Sequence, residues 1–180
     1  MSNEEKFPLK IEDDEVILRA AFRPFNIRKN GKIKPNIFVP PKNLDELSCM
    51  RSSIMNISEC LDKAKEIAGG NKEFHGFALI TNFCANNSSP PSEYGSVYIQ
   101  DSRSYYLGHA DLIIGIKTPI NDEPLSAIDK EKFDFIKDNL YKHSVFVIPN
   151  STNGPEISSC DKSQLLTDFA NEVLDTILKA

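Results

Sequence analysis

The sequence has no tryptophan, and it has no long hydrophobic run either. Its densest apolar stretch, residues 112–116, is far shorter than the segment of about 20 residues that a membrane-spanning helix needs. The first residues are polar and lack the apolar core of a secretory signal peptide. We therefore expect a cytoplasmic protein that has no membrane partner.

Metal-binding and redox motifs are also absent from the sequence. Its four cysteines, Cys49, Cys60, Cys84 and Cys160, include no Cys-x-x-Cys pair, which argues against a zinc knuckle or a dithiol redox site. Disulfides are rare in proteins that are not secreted, so we expect all four thiols to be reduced. We expect no metal and no cofactor.

The common catalytic and phosphate-binding motifs are missing as well: there is no Gly-x-Gly-x-x-Gly, Walker loop, Gly-x-Ser-x-Gly or His-Glu-x-x-His. A net charge of −5 excludes a global field that would attract nucleic acid, and we expect no nucleic-acid partner. Five cations nevertheless occur within twelve residues that contain no acid, which fits either a solvated hairpin or a small basic patch: Arg23, Arg28, Lys29, Lys32 and Lys34.

What the sequence does contain is enough apolar material for one folded domain. Its 180 residues are 40% hydrophobic and 26% charged, as in ordinary globular domains. We predict a flexible arm over residues 1–14 and a single α+β domain over residues 15–180. The expected architecture is a mixed or mainly antiparallel sheet of about five to six strands, with three helices packed on one face of it.

Strands are predicted where apolar, aromatic and β-branched residues dominate, over residues 15–22, 74–83, 95–101, 105–117 and 144–149. Asn30-Gly31 is typical of a hairpin turn. The polar segments 85–93 and 150–159 are predicted to be exposed loops.

Three helices are predicted from capping signals and helical spacing. Asn56 and Glu59 form a capping-box pattern at the start of the first helix, and Gly69-Gly70 ends it. The second helix covers about residues 127–142. The third begins at Asp161, a suitable N-cap, and carries a continuous apolar stripe.

The best candidate for chemistry is the segment 108–115, Gly-His-Ala-Asp-Leu-Ile-Ile-Gly. On a strand, His109 and Asp111 lie on one face, opposite the apolar residues that alternate with them. Two residues of a strand span about 7 Å, so both groups can address one ligand, with His109 as a general acid or base. The alternative is that His109 is a partly buried histidine bonded to a loop carbonyl.

Two arginines and a serine are candidate ligand-binding residues. Arg51 follows Leu47-Ser48-Cys49-Met50, and an arginine in such surroundings binds an anion bidentately or holds a loop by its carbonyls. Arg19 interrupts an apolar strand and needs a partner if it is buried, for which Asp111 or another acid is available. The predicted site therefore consists of Arg19, Ser48, Arg51, His109 and Asp111.

The order of these features resembles a group of small, mostly uncharacterised bacterial proteins. Their pattern is an early strand with an arginine, a Phe…Leu-Ser-x-x-Arg segment and a His-Ala-x-Ile-x-Gly strand. The matching residues are Arg19, Phe38, Leu47-Ser48 with Arg51, and His109-Ala110 with Gly115, while Ile113 is one position displaced. The resemblance covers about 100 residues; it implies a bacterial origin and no established activity.

Two functions remain open on this basis. The first is a binding or accessory domain that acts with a partner protein or as a homo-oligomer. The second is a small enzyme, or a nucleotide- or anion-binding domain, that uses the predicted site. An ADP-ribosyltransferase-like activity is its sharpest form, although Glu156 and Glu172 are the only late candidates for the catalytic glutamate.

Overall fold

The computed structural model describes residues 9–120, 123–151, 154–159 and 163–180. Its described residues form an α+β fold with seven strands in one antiparallel sheet and four α-helices. The strands are β1 (Val16–Arg23), β2 (Glu46–Arg51), β3 (Glu73–Thr81), β4 (Tyr98–Asp101), β5 (His109–Ile113), β6 (Val145–Ser151) and β7 (Gly154–Ser159). The helices are α1 (Ile57–Ile67), α2 (Asn82–Asn86), α3 (Ala127–His143) and α4 (Gln164–Lys179).

The strand β1 lies in the middle of the sheet, whose order is β4-β5-β2-β1-β3-β6-β7. Every strand pair is antiparallel. The strand β1 pairs with β3 over its whole length, but with β2 only at Ile17↔Arg51 and Leu18↔Met50. Over most of their length, β1 and β2 are therefore not paired, which leaves an opening in the sheet between them. The candidate site lies at this opening.

Helices cover both faces of the sheet, which corrects the prediction that they cover one. On one face, α1 and α4 bury Cys60, Ala64, Leu166 and Ala170 against the sheet. On the other face lie α2, α3 and a short 3-10 turn, Pro35–Phe38, which contributes two fully buried side chains to a second apolar cluster. Both faces of the central strands are apolar, because both are buried.

The helix boundaries follow from local chemistry. Asn56 accepts a hydrogen bond from the backbone of Glu59, and the Glu59 side chain accepts one from the backbone of Asn56, so the predicted capping box is confirmed. Ser126 caps α3 by accepting from the backbone N–H of Asp129. Asp161, the predicted cap of the last helix, lies outside the described residues; α4 begins after Ser163.

Three elements were not predicted: the strands β2 and β7 and the short helix α2. The segment of β2 was interpreted only as a possible anion-binding segment. Its residues do not alternate between buried and exposed along the whole strand, because Met50 is buried as well as Leu47 and Cys49. The strand β7 lies in the predicted loop 150–159, where polar residues pair with β6 at the edge of the sheet. Edge strands need little apolar character, so the polar composition of this segment did not indicate the strand β7.

The predicted loop 85–93 is exposed only in part. Ser88 and Ser89 are buried, and the Ser89 hydroxyl accepts hydrogen bonds from the backbone N–H groups of Gly95 and Val97. Serine supplies the acceptor that this turn needs for its own backbone donors. The polar composition therefore serves internal hydrogen bonds as well as solvent contact.

The flexible arm predicted over residues 1–14 falls partly outside the described residues, which begin at Leu9. Residues 9–14 are held against the body of the fold. Ile11 is buried and its carbonyl accepts from Asn82, while the Asp13 carbonyl accepts from the backbone of Phe83. None of the described helices is long and apolar enough to cross a membrane.

The hairpin predicted at Asn30-Gly31 is present, although it forms only an isolated bridge between Ile27 and Ile33. Gly31 has φ +82°, the left-handed conformation that glycine adopts without strain. The buried imidazole of His75 holds the turn, with Nε2 at 3.0 Å from the Gly31 carbonyl and Nδ1 at 3.1 Å from Arg23 Nε. Because Nδ1 accepts from Arg23, Nε2 carries the proton and donates to Gly31.

The stability of this arrangement should depend on pH. Burial lowers the pKa of His75; the bond to Gly31 opposes this shift, while the positive Arg23 adds to it. As pH falls below the ordinary histidine pKa of about 6.5, the imidazole of His75 takes up its proton in the unfolded chain before it does so in the folded chain. The stabilising contribution of neutral His75 is therefore fully present above that pH and declines as pH falls. The slope contributed by His75 cannot exceed about 1.4 kcal/mol per pH unit, the limit for the uptake of one proton.

Urea unfolding of the wild type and His75→Asn between about pH 5.5 and 7.5 would measure this slope, because most carboxylates stay ionised there. Asparagine preserves an acceptor and a donor but does not titrate. We expect a shallower pH dependence in His75→Asn than in the wild type. Equal slopes for the two proteins would contradict the assignment.

Candidate functional site

The opening between β1 and β2 is closed by the side chain of Arg19. After the pair Leu18↔Met50 the two strands no longer pair, and Arg19 Nη1 donates to the Ser48 carbonyl at 2.7 Å. Its Nε donates to the Ile37 carbonyl, also at 2.7 Å. The guanidinium thus replaces the missing ladder bonds and joins β1, β2 and the 3-10 turn.

A pocket of about 520 Å³ lies at this opening. Its walls come from the second half of β1, the first half of β2, the segment 25–44, and the end of α1. Its lining residues are Arg19, Ala20, Phe22, Phe25, Asn26, Asn36, Val39, Pro41, Leu44, Glu46, Ser48, Met50, Ile67, Lys72 and Tyr106. A volume of this size is typical of small-molecule sites.

Arg19 gives the pocket an uncompensated positive charge. Burial lowers the pKa of Arg19 below its ordinary value, since the guanidinium is desolvated, but an arginine remains charged at neutral pH. Among the described residues no carboxylate forms an ion pair with it. Its bonds to carbonyl oxygens use Nε and Nη1, and the buried Cys49 thiol is a further hydrogen-bond partner. A guanidinium has five N–H donors, so donors remain for an anion.

The rest of the lining is mostly apolar with a few polar groups. Lys72 adds a second cation and Glu46 adds one acid, so the lining carries one net positive charge in a protein whose net charge is −5. Phe25, Leu44 and Ile67 are 52%, 40% and 41% exposed, which is high for large apolar residues. Such a pocket suits a molecule with an anionic group and an apolar body.

His109 and Asp111 lie on one face of β5, as predicted, but this face is also buried: the two residues are only 4% and 6% exposed. Their Nε2 and Oδ1 atoms are 3.7 Å apart, too far for a hydrogen bond. His109 Nδ1 is 3.1 Å from the Ser102 carbonyl. This is the loop-carbonyl contact of the alternative interpretation.

Two tyrosine rings enclose the His109 imidazole. The centroids of Tyr105 and Tyr106 are each 4.9 Å from that of His109. Burial raises the pKa of Tyr106, and nearby anionic groups, Asp111 among them, add to the shift. Tyr106 lines the pocket, whereas His109 and Asp111 are not among its lining residues, so the imidazole reaches the pocket only through this ring.

Ser48 lies directly opposite Asp111 in the β2–β5 pairing, on the same face of the sheet. It is exposed and lines the pocket. The neighbouring Cys49 points to the other face, where burial raises the pKa of its thiol to about 11. Cys49 is therefore protonated at neutral pH and is no nucleophile.

Arg51 belongs to a separate buried ion-pair network. Its Nε and Nη2 donate to the two carboxylate oxygens of Glu15, both at 2.8 Å, and its Nη1 donates to Asp101 at 2.6 Å. Arg103 Nε binds the other oxygen of Asp101 at 2.7 Å. The Arg51 side chain is fully buried, and the side chains of Glu15 and Asp101 are 5% and 7% exposed.

This network compensates its own buried charges. Burial disfavours the charged form of Arg51, but the bonds to Glu15 and Asp101 outweigh it and raise the pKa of Arg51. In Asp101, burial is likewise outweighed by the bonds from Arg103 and Arg51, which lower its pKa. Arg51 thus ties β2 to the segment before β1 and to the end of β4, and its donors are occupied by protein acceptors.

The structure therefore divides the five predicted site residues into three groups. Arg19 and Ser48 meet at the pocket, His109 and Asp111 lie beside each other under two tyrosines, and Arg51 is on the opposite face from His109. No sequence pattern predicts that Asn26, Lys72 and Tyr106 line the pocket, because they lie near the ends of different elements.

Comparison with known proteins yields no relative: no family model, curated protein or solved structure matches the chain. The resemblance to small bacterial proteins, with the origin that it implies, stays a prediction. In the described part of the chain, no three His, Cys, Asp or Glu side chains are grouped so as to hold a metal ion.

Proposed function

We propose that this protein is a binding domain for a small amphipathic anion, whose charged group contacts Arg19 and whose apolar body fills the pocket between β1 and β2. The observation that supports it is a desolvated guanidinium that lines a pocket and has no carboxylate partner among residues 9–120, 123–151, 154–159 and 163–180.

The arrangement of the polar groups favours a carboxylate, sulfonate or phosphate monoester over a neutral ligand. Arg19 is held in place by the Ile37 and Ser48 carbonyls, so its remaining donors are oriented before a ligand arrives. The exposed Ser48 hydroxyl and Lys72 ammonium also line the pocket and can bind the same anion. Leu44 and Ile67 line the same pocket and offer apolar surface to the body of the ligand.

Arg19→Met tests this proposal with two fluorescent probes, anilinonaphthalene sulfonate and the uncharged phenylnaphthylamine. The wild type should bind the sulfonate at one saturable site, and Arg19→Met should weaken that binding by about tenfold, as expected for one charge-assisted hydrogen bond. Affinity for the uncharged probe should stay nearly the same, because methionine retains the apolar stem.

A second variant separates pocket binding from folding defects. Ser48→Phe should fill the pocket and weaken both probes without removing the Arg19 bond, which goes to the Ser48 backbone. The matched control is Ser92→Phe, at an exposed serine in the 3-10 turn Pro91–Glu93, away from the pocket lining. Equal loss of both probes in Arg19→Met, or unchanged sulfonate binding in a folded Ser48→Phe variant, would refute the proposal.

The earlier hypotheses stand beside this one. A ligand-binding domain can also act with a partner protein, and that association, like a cytoplasmic location, stays a prediction. The enzymatic hypothesis requires His109 and Asp111 to reach a bound ligand. Tyr106 separates His109 from the pocket, so the geometry favours binding over catalysis.

A further inference from the structure

A second concave surface lies at the hairpin that follows β1. It has a volume of about 550 Å³ and is lined by Arg23, Pro24, Ile27, Arg28, Lys29 and Lys34. Four of these six residues are cations. Lys32, which belongs to the same hairpin, is exposed as well.

The cations project from a backbone that the core holds firmly. Ile27 and Ile33 alternate with them along the hairpin and are 6% and 1% exposed. Three contacts fasten the backbone: His75 binds the Gly31 carbonyl, the Tyr141 hydroxyl donates to the Ile33 carbonyl at 3.0 Å, and the Lys34 backbone donates to Asn26 at 2.7 Å. The basic surface is therefore preorganised and not a loose tail.

The charge of this surface is not neutralised within the described part of the chain. No carboxylate there forms an ion pair with Arg23, Arg28, Lys29, Lys32 or Lys34. Glu73 is the cross-strand neighbour of Arg23 and lowers the local potential without pairing with it. Like charges so close together repel one another, and a multivalent anion relieves that repulsion.

We propose that the hairpin of residues 23–34 is a binding site for a compact polyphosphate group of the kind that a nucleoside triphosphate carries. Four cations around one concavity call for an anion with at least three closely spaced charges. Two of the cations are arginines, whose planar forks suit phosphate oxygens. This site is separate from the Arg19 pocket and does not depend on the function proposed for it.

Isothermal titration with inorganic tripolyphosphate and with inorganic phosphate tests the site. Tripolyphosphate should bind with one-to-one stoichiometry and weaken with added salt, whereas phosphate should bind at least about tenfold more weakly because it meets fewer cations. Arg28→Glu and Lys29→Glu should each weaken tripolyphosphate binding by about tenfold or more. Both residues are exposed, so the variants should fold.

The matched control is Lys130→Glu, which reverses an exposed charge on α3 and should leave binding unchanged. A nucleoside triphosphate and vesicles of phosphatidylcholine containing phosphatidylglycerol distinguish a soluble polyphosphate from lipid headgroups. Binding of the nucleotide that Arg28→Glu abolishes would support the proposal. Binding of vesicles only, equal weakening by Lys130→Glu, or affinity for phosphate equal to that for tripolyphosphate would overturn it.

Discussion

Gly76→Ala is expected to destabilise the protein by more than about 3 kcal/mol, enough to leave a large fraction unfolded. A Cβ atom at this position would lie 2.1 Å from the carbonyl oxygen of Val147 in the neighbouring strand β6. The obstacle is backbone in the middle of the sheet, so no side-chain rotation relieves it. Thermal unfolding followed by circular dichroism, with the soluble yield, measures the effect.

The matched control is Gly69→Ala at the end of α1, where a Cβ atom would meet nothing closer than the Glu66 carbonyl at 3.8 Å. We expect this variant to unfold within about 0.5 kcal/mol of the wild type. If Gly76→Ala is as stable as Gly69→Ala, β3 and β6 do not approach as closely as the structure shows.

Gly76 also shows why the sequence predicts strands better than it predicts their arrangement. The aromatic and β-branched residues of segment 74–83 indicated a strand, and β3 is indeed present as Glu73–Thr81. The register of β3 against β1 shifts between Ala21 and Phe22, beside Gly76 and His75. Neither the shift nor the close approach of β6 follows from residue preferences, because both depend on pairing between distant segments.

The candidate site was predictable to a similar extent. Arg19 stands out in the sequence because it interrupts an apolar strand, and a buried arginine needs partners. Asp111 or another acid was named as an available partner, but among the described residues Arg19 binds the carbonyls of Ile37 and Ser48 and forms no ion pair with a carboxylate. The separation of β1 from β2 creates both these acceptors and the pocket, and no local sequence pattern reports the separation of two strands.

For His109 and Asp111, the sequence predicts the face on which they lie but not what covers that face. Strand alternation correctly placed them on one face, because side-chain direction in a strand follows from the backbone alone. What covers that face depends on the turn before β5, which brings Tyr105 and Tyr106 onto the imidazole. Two sequence neighbours thus bury a pair that alternation alone would leave open to a ligand.

Arg51→Met is expected to cost about 3–5 kcal/mol of folding stability, the usual effect of removing one partner from a buried ion pair. Methionine fills a similar volume but leaves Glu15 and Asp101 as buried carboxylates that have lost the guanidinium between them. Urea unfolding of the variant provides the measurement, with Arg28→Met as the control, since Arg28 is exposed. We expect Arg28→Met to change the free energy of unfolding by less than about 0.5 kcal/mol.

The same pair of variants separates a structural arginine from a ligand-binding one. If Arg51 served a ligand, Arg51→Met would fold normally and lose only binding. Replacing a cation that is kept for function usually leaves the folding stability unchanged or even raises it. The bidentate contact with Glu15 and the second contact with Asp101 occupy its donors, so we expect the reverse: a large loss of stability. A variant within about 1 kcal/mol of the wild type would show that the network contributes little and would return Arg51 to the candidate ligand-binding residues.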